Sequence, residues 1–182
     1  IQDALGDIGS VDGWLFYDFR GGDPLAYRVL LLDPTQHVTR RWYYWIPTRG
    51  EPVKLLHRIE PHVLDELPGQ VQQYVSWEQQ RLLLASLLRG RRKIAMQYSP
   101  FNAVPYLSRV DAGTVELIRS FGLEVITSAD LVQRFEAVWT NAQLESHRYA
   151  VTALRNIVDE AFAHVASCIT NERRLSEYDL QQ

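Results

Sequence analysis

Three groups of residues in this sequence carry side chains that could do chemistry. The first is Asp18, Arg20 and Asp23, two carboxylates and a guanidinium spaced around Gly21 and Gly22. They follow a β-rich run, Trp14 to Tyr17, and the carboxyl ends of strands in open α/β sheets are where ligand contacts gather. Glycines there let backbone approach a ligand closely. The same residues also read as turn chemistry, with Asp23 capping a helix whose first residue is Pro24. The second group is His57, Glu60 and His62. Their types suit a metal, but the i, i+5 spacing of the histidines belongs to no regular ligand geometry, and Pro61 breaks the strand between them. A hydrogen-bonded histidine at a strand end is the expectation. The third group is Asn102, Tyr106 and Arg109, in the irregular stretch Tyr98 to Val110. Loops of about 12 or more residues inside compact domains are commonly functional. The plain alternative is that Phe101, Val104, Tyr106 and Leu107 cover a sheet edge or join a subunit interface.

Other signals resolve more simply. Arg40-Arg41-Trp42-Tyr43-Tyr44-Trp45 mixes cations with aromatics, as single-strand binders do. Strand alternation sends Trp42, Tyr44 and Ile46 to one face and Tyr43 and Trp45 to the other, so the run reads as a central strand buried on both sides. Arg89 to Lys93 is basic but falls at a helix end, where positive charge suits the dipole. Cys168 has no basic neighbour in sequence and reads as a buried thiol. There is no GxGxxG, Walker loop, GxSxG or HExxH, so nucleotide, serine-hydrolase and zincin chemistry have no sequence support.

The elements that must position these groups alternate. Six candidate strands are Trp14 to Tyr17, Arg41 to Ile46, Val53 to Arg58, Val71 to Val75, Lys93 to Gln97 and Glu124 to Ile126. Helical patterns fit Leu25 to Leu32, Trp77 to Leu88, Ala112 to Phe121 and Ser128 to Phe135. Strands two and three are joined by the short Pro47 to Pro52 linker and so form an antiparallel hairpin, which makes the sheet mixed. Gly90 and Gly122 sit where helices end in left-handed turns. After Trp139 the period changes. Leu144, Val151, Leu154, Val158, Ala161, Val165 and Ile169 recur at helical steps, predicting a helix of roughly 26 residues capped by Thr140 and about 39 Å long. Its apolar stripe is expected to pack on the sheet domain or on another copy. Ser176 to Asp179 resembles a capping box opening a further helix. An interruption so soon after that cap, and Ile1 in place of methionine, suggest a piece of a larger protein.

Composition bounds the function. The 182 residues are 46% hydrophobic and 23% charged, a globular balance sufficient for one sizeable domain. A net charge of −3 offers no general field for phosphate backbones, so nucleic acid is disfavoured. A single cysteine excludes an intrachain disulfide and CxxC motifs and fits a reducing, cytoplasmic setting. No run approaches the ~18 apolar residues of a membrane span.

Particular segments resemble the amino-terminal part of the pita-bread metallohydrolases, the family of creatinase, prolidase and Xaa-Pro aminopeptidases. They are Trp14-Leu15-Phe16-Tyr17-Asp18-Phe19-Arg20-Gly21, the run Gly50 to Pro61, Tyr98-Ser99-Pro100-Phe101-Asn102-Ala103-Val104-Pro105-Tyr106, and Ser108 to Glu116. Ser128 to Gln133, Trp139 and Ser146-His147-Arg148 are similar to the junction with the catalytic domain. The resemblance implies residues 1–138 as a creatinase-type amino-terminal domain, a mixed six-stranded α/β sheet with a ribonuclease-H-like outline, and 139–182 as the linker and first helix of the catalytic domain. It further implies a homodimer, a proline-containing peptide substrate, and two divalent ions (manganese, cobalt or zinc) held by the full-length parent. The family's metal ligands lie on later strands, so no catalytic or metal-binding residue is assigned in this chain and none of these cofactors is expected in it. Asp18, Arg20, Asp23, Asn102, Tyr106 and Arg109 are its candidate gating or intersubunit residues. Alternatives are a free-standing protein-interaction module, a domain of a creatinase-like C–N hydrolase, and an independent metal hydrolase using Asp18, Asp23, Glu60 and the two histidines.

Overall fold

A strand buried on both faces carries apolar side chains along most of its length, and two segments here do. In the computed structural model, which describes residues 1–181, Gly13–Asp18 (β1) and Trp42–Pro47 (β2) are buried along their whole length. They pair antiparallel, with Phe16 opposite Tyr44 and Asp18 opposite Trp42. Val53–His57 (β3) returns antiparallel to β2, completing the expected hairpin. Gln70–Tyr74 (β4), Lys93–Met96 (β5) and Glu124–Thr127 (β6) complete one sheet in the order β4-β3-β2-β1-β5-β6. Every strand except β2 runs parallel to β1. The sheet is therefore mixed and six-stranded.

Alternation splits the aromatics between two cores. Trp14, Phe16, Trp42, Tyr44 and Ile46 join one cluster, and Leu15, Tyr17, Tyr43 and Trp45 join the other. The first is covered by Gln2–Ile8 (α1), Pro24–Leu30 (α2) and Ala129–Glu136 (α5). The second is covered by Trp77–Leu87 (α3) and Ala112–Arg119 (α4). Each large apolar side chain taken fully from water contributes about 1.5–3 kcal/mol, which is why helices must close both faces. Local signals start the helices: Asp23 accepts from the Leu25 and Ala26 amides, Ser76 from Gln79, and Asp111 from Thr114.

Two features depart from the sequence reading. Residues 2–8, given no element, form α1, which docks Leu5 wholly into the first core. Lys54 points into the interior of β3 and is buried, its Nζ donating to the Leu64 carbonyl at 2.9 Å.

The chain divides into two compact units, Ile1–Ala137 and Val138–Gln182. The second is built on Asn141–Thr170 (α6), 30 residues and about 45 Å long, followed by the short Glu177–Gln181 (α7). Thr140 opens α6 with a reciprocal capping box to Gln143. The α6 stripe is expected to pack on the sheet domain or on another copy; within the single chain its Val151, Leu154, Val158 and Ile169 are exposed. Cys168 is buried as expected, but its Sγ lies 3.7 Å from His164 Nε2, a neighbour one helical turn away.

Candidate functional site

The loops leaving β1 and β5 meet. The two strands are adjacent and parallel, and the chain runs outward from β1 towards β4 on one side and continues through β5 and β6 on the other. The carboxyl ends of β1 and β5 thus flank the point where strand order reverses, the usual crevice for ligands in such sheets. The β1–α2 loop carries Asp18, Arg20 and Asp23, and the segment after β5 carries Asn102, Tyr106 and Arg109. Trp14 Nε1 donates to Gln97 Oε1 at 3.2 Å, tying the two strands beneath the loops.

Asp18 organises the first loop. One carboxylate oxygen accepts the Gly21 amide at 3.0 Å, and the other accepts the Asp23 amide at 2.9 Å. The Tyr27 hydroxyl donates to the same carboxylate over a longer 3.4 Å. Asp23 in turn caps α2 through Oδ1 alone, and its Oδ2 is buried with no partner among the described residues. Burial pushes the Asp23 carboxyl up to about 7; the nearby Asp18 charge adds to the shift, while its amide donors and Arg109 oppose it. Burial likewise raises Tyr27 to about 12, with Asp18 again contributing.

Tyr106 anchors the second loop. Arg28 of α2 donates to its hydroxyl, which itself donates to Glu136 of α5 at 3.3 Å, and Arg28 Nε pairs with Glu136 at 2.7 Å. Arg109 Nε donates to the Tyr106 carbonyl at 2.9 Å, and its guanidinium lies 5.5 Å from the ring centre. Arg28 also stacks on this ring, so two arginines hold one tyrosine. Beside this loop Gly21, Pro24, Tyr27, Arg28 and Leu31 line a cleft of about 570 Å³ along α2.

The structure therefore brings Asp18, Asp23, Tyr106 and Arg109 into one neighbourhood. Arg20 and Asn102 stand apart, both exposed and both in left-handed backbone, with φ of 61° and 54°. Arg28 and Glu136 were missed, since they lie 108 residues apart and no local pattern pairs them. The long stretch proves to hold two 3₁₀ turns, Pro100–Asn102 and Pro105–Leu107. Leu107 is buried, whereas Val104 and Tyr106 are exposed and Phe101 is fully so.

The histidines are committed elsewhere. His57 Nδ1 accepts the Ile59 amide at 3.1 Å, and His62 Nδ1 faces Asp65 at 2.8 Å. Glu60 binds the backbone amides of Thr39 and Arg40. Burial acts to raise Glu60, but the Thr39 hydroxyl and those amides outweigh it and hold the carboxyl below its usual value. Among the described residues no three His, Cys, Asp or Glu side chains converge, so the donors present do not fit a divalent pair.

The mixed six-stranded sheet with helices on both faces is a fold this chain shares with part of several solved prolidases and X-Pro peptidases. Solved structures similar to this chain include a prolidase from Thermococcus sibiricus (14% identity, TM-score 0.60), covering 91% of this chain and 42% of that one. An X-Pro aminopeptidase from Thermotoga maritima (14%, TM-score 0.55) covers 98% of this chain and 46% of its own length. A dipeptidase from Mycobacterium ulcerans (18%, TM-score 0.53) covers 89% and 41%. The chain thus spans less than half the length of each. No protein-family model matches the sequence, and no curated protein does.

Proposed function

We propose that this chain is the non-catalytic amino-terminal domain of a metal-dependent peptidase acting on Xaa-Pro peptides, serving dimerisation and substrate access in the full-length enzyme. One observation carries the reading: nearly the whole chain overlays on less than half of each peptidase. On this reading residues 1–138 are the accessory domain, and residues 139–182 begin the catalytic domain, which would bury the apolar residues now exposed on α6. The loops bearing Asp18, Arg20, Asp23, Asn102, Tyr106 and Arg109 narrow the substrate entrance or reach a neighbouring subunit. The two divalent ions, manganese, cobalt or zinc, belong to the parent's later strands, and we assign the protein to the cytoplasm, a placing the single free cysteine is compatible with.

The test is hydrolysis of Xaa-Pro peptides by the full-length gene product, with and without manganese, beside the 182-residue chain. Manganese-dependent cleavage by the full-length protein and none by the chain alone is expected. A gene that ends at Gln182 would favour a free-standing interaction module, and full-length protein inert towards every Xaa-Pro peptide would remove the peptidase reading.

A further inference from the structure

Away from the β1/β5 crevice, a second and smaller cleft of about 170 Å³ opens at the carboxyl ends of β1, β3 and β4. Its lining includes Phe19, Arg40, Arg41, His57, Tyr74 and Trp77. Arg40 and Arg41 belong to the cation-aromatic run whose aromatics enter the two cores, leaving the arginines outside with no role assigned so far.

Neither arginine has a carboxylate within ion-pair distance among the described residues. Arg41 lies 5.6 Å from the Phe19 ring centre, and Arg20 lies 5.9 Å from the same ring, so two like charges share one aromatic. Glu60 lies near enough to Arg40 to feel its charge, but its oxygens accept from the Thr39 hydroxyl and from the Thr39 and Arg40 amides. His57 adds a donor. Its Nδ1 is occupied in accepting the Ile59 amide, so the neutral ring carries its proton on Nε2. The walls are fixed in advance: the Tyr74 hydroxyl donates to the Arg41 carbonyl at 2.7 Å, and the His57 ring stands edge-on to Tyr74 with centres 5.0 Å apart.

We propose that this cleft is an oxyanion-binding site in which Arg40, Arg41 and the His57 Nε2–H receive the carboxylate or phosphate group of an anionic ligand. Guanidinium forks match the planar oxygens of either group, and charge-assisted hydrogen bonds are about twice as strong as neutral ones. The volume sets the size. Pockets for whole drug-sized molecules run to roughly 300–1,000 Å³, so this one takes a single group and leaves the rest of the ligand against exposed Phe19 and Trp77. The proposal is independent of the peptidase reading, since it uses neither the parent's metals nor the β1/β5 loops beyond Phe19.

The test is titration of the 182-residue chain at constant ionic strength with inorganic phosphate, with acetate, and with chloride as the blank, followed by ¹⁵N NMR of the arginine Nε–H, His57 ring and Trp77 amide signals. Saturable shifts confined to Arg40, Arg41, His57 and Trp77 are expected. Arg41→Ala should weaken binding at least tenfold and Arg41→Lys should restore part of it, while Arg155→Ala on α6 should change nothing. Saturation by phosphate alone identifies a phosphate ligand, and saturation by acetate alone identifies a carboxylate. Shifts that never saturate, that follow ionic strength across all arginines, or that persist in both Arg41→Ala and Arg40→Ala overturn the proposal. Both arginines are exposed and free of ion pairs, so these variants keep the fold.

Discussion

The amide of Asp23 donates to Asp18 Oδ1 at 2.9 Å, while the Asp23 carboxyl, 1% exposed, turns back to cap α2 with one oxygen unpaired. Two buried carboxyl groups therefore lie close together at the end of β1. Burial, with the neighbouring Asp18 adding to it, pushes the Asp23 carboxyl up, so Asp23 keeps its proton well above the usual carboxylate range.

The consequence is a pH dependence of known sign. The Asp23 carboxyl rises from 3.8 to about 7 on folding, chiefly through burial, so between those values the folded state binds more protons than the unfolded one. Stability from this group is present below pH 3.8 and is lost as pH rises through about 7. Asp23→Asn keeps the cap and carries no charge, so its stability relative to wild type should grow from pH 5 to pH 8. The gain is on the order of a few kcal/mol. Urea denaturation of both proteins across that range checks it, and a constant difference would show that Asp23 is ionised throughout.

Gly69, just before β4, has φ of +114°, and a Cβ there would lie 2.3 Å from the Pro52 carbonyl oxygen. That oxygen also accepts the Gln70 amide, so it cannot yield without breaking the β3–β4 pairing. Gly69→Ala should lower stability by about 2–4 kcal/mol, read as a lower urea midpoint at unchanged slope. Gly90, with φ of +77° and open space around it, is the control. Gly90→Ala should lose only about 1 kcal/mol.

The fold was largely legible because its signals are local. Alternation in Trp42 to Ile46 assigned each aromatic to the core it occupies, and Asp23-Pro24 announced the start of α2. What escaped depends on tertiary context. Helix α1 spans seven residues, includes Gly6 and buries only Leu5, too little for a periodic pattern. Lys54 is polar in sequence and buried in space because a carbonyl ten residues away receives it. At the candidate site the acidic and loop residues were visible by type, but the raised Asp23 carboxyl was not, since burial comes from packing. The His164–Cys168 neighbourhood was within reach, as i, i+4 residues share a helix face.

Helix α6 begins with a complete capping box: the Gln143 amide donates to Thr140 Oγ1 at 3.2 Å, and the Thr140 amide donates to Gln143 Oε1 at 2.8 Å. Thr140→Ala removes one half and exposes an amide without an intrahelical partner. A loss of about 1 kcal/mol is expected, confined to the first turn. Hydrogen exchange should quicken at Gln143 and Leu144 while the middle of α6 is unchanged. Equal quickening along the whole helix would mean the cap governs α6 as a unit.

Phe101 and Asn102 both hold φ of 54°, and the Phe101 side chain is fully exposed. Left-handed backbone costs an ordinary residue about 1–2 kcal/mol, and here no burial of the ring offsets it. Glycine removes that strain at an entropic cost of about 0.5–1 kcal/mol, so Phe101→Gly should leave stability unchanged or raise it by up to about 1 kcal/mol. Strain retained at an exposed aromatic is reason to look for function in the loop. If the loop meets substrate in the full-length enzyme, the same substitution should raise KM for Xaa-Pro peptides several-fold with little change in kcat, because it removes a contact made before and during the reaction alike. Denaturation and steady-state kinetics on one variant separate the outcomes. Unchanged kinetics would make the exposed ring no part of the substrate path, and a clear loss of stability would place it in a packing role instead.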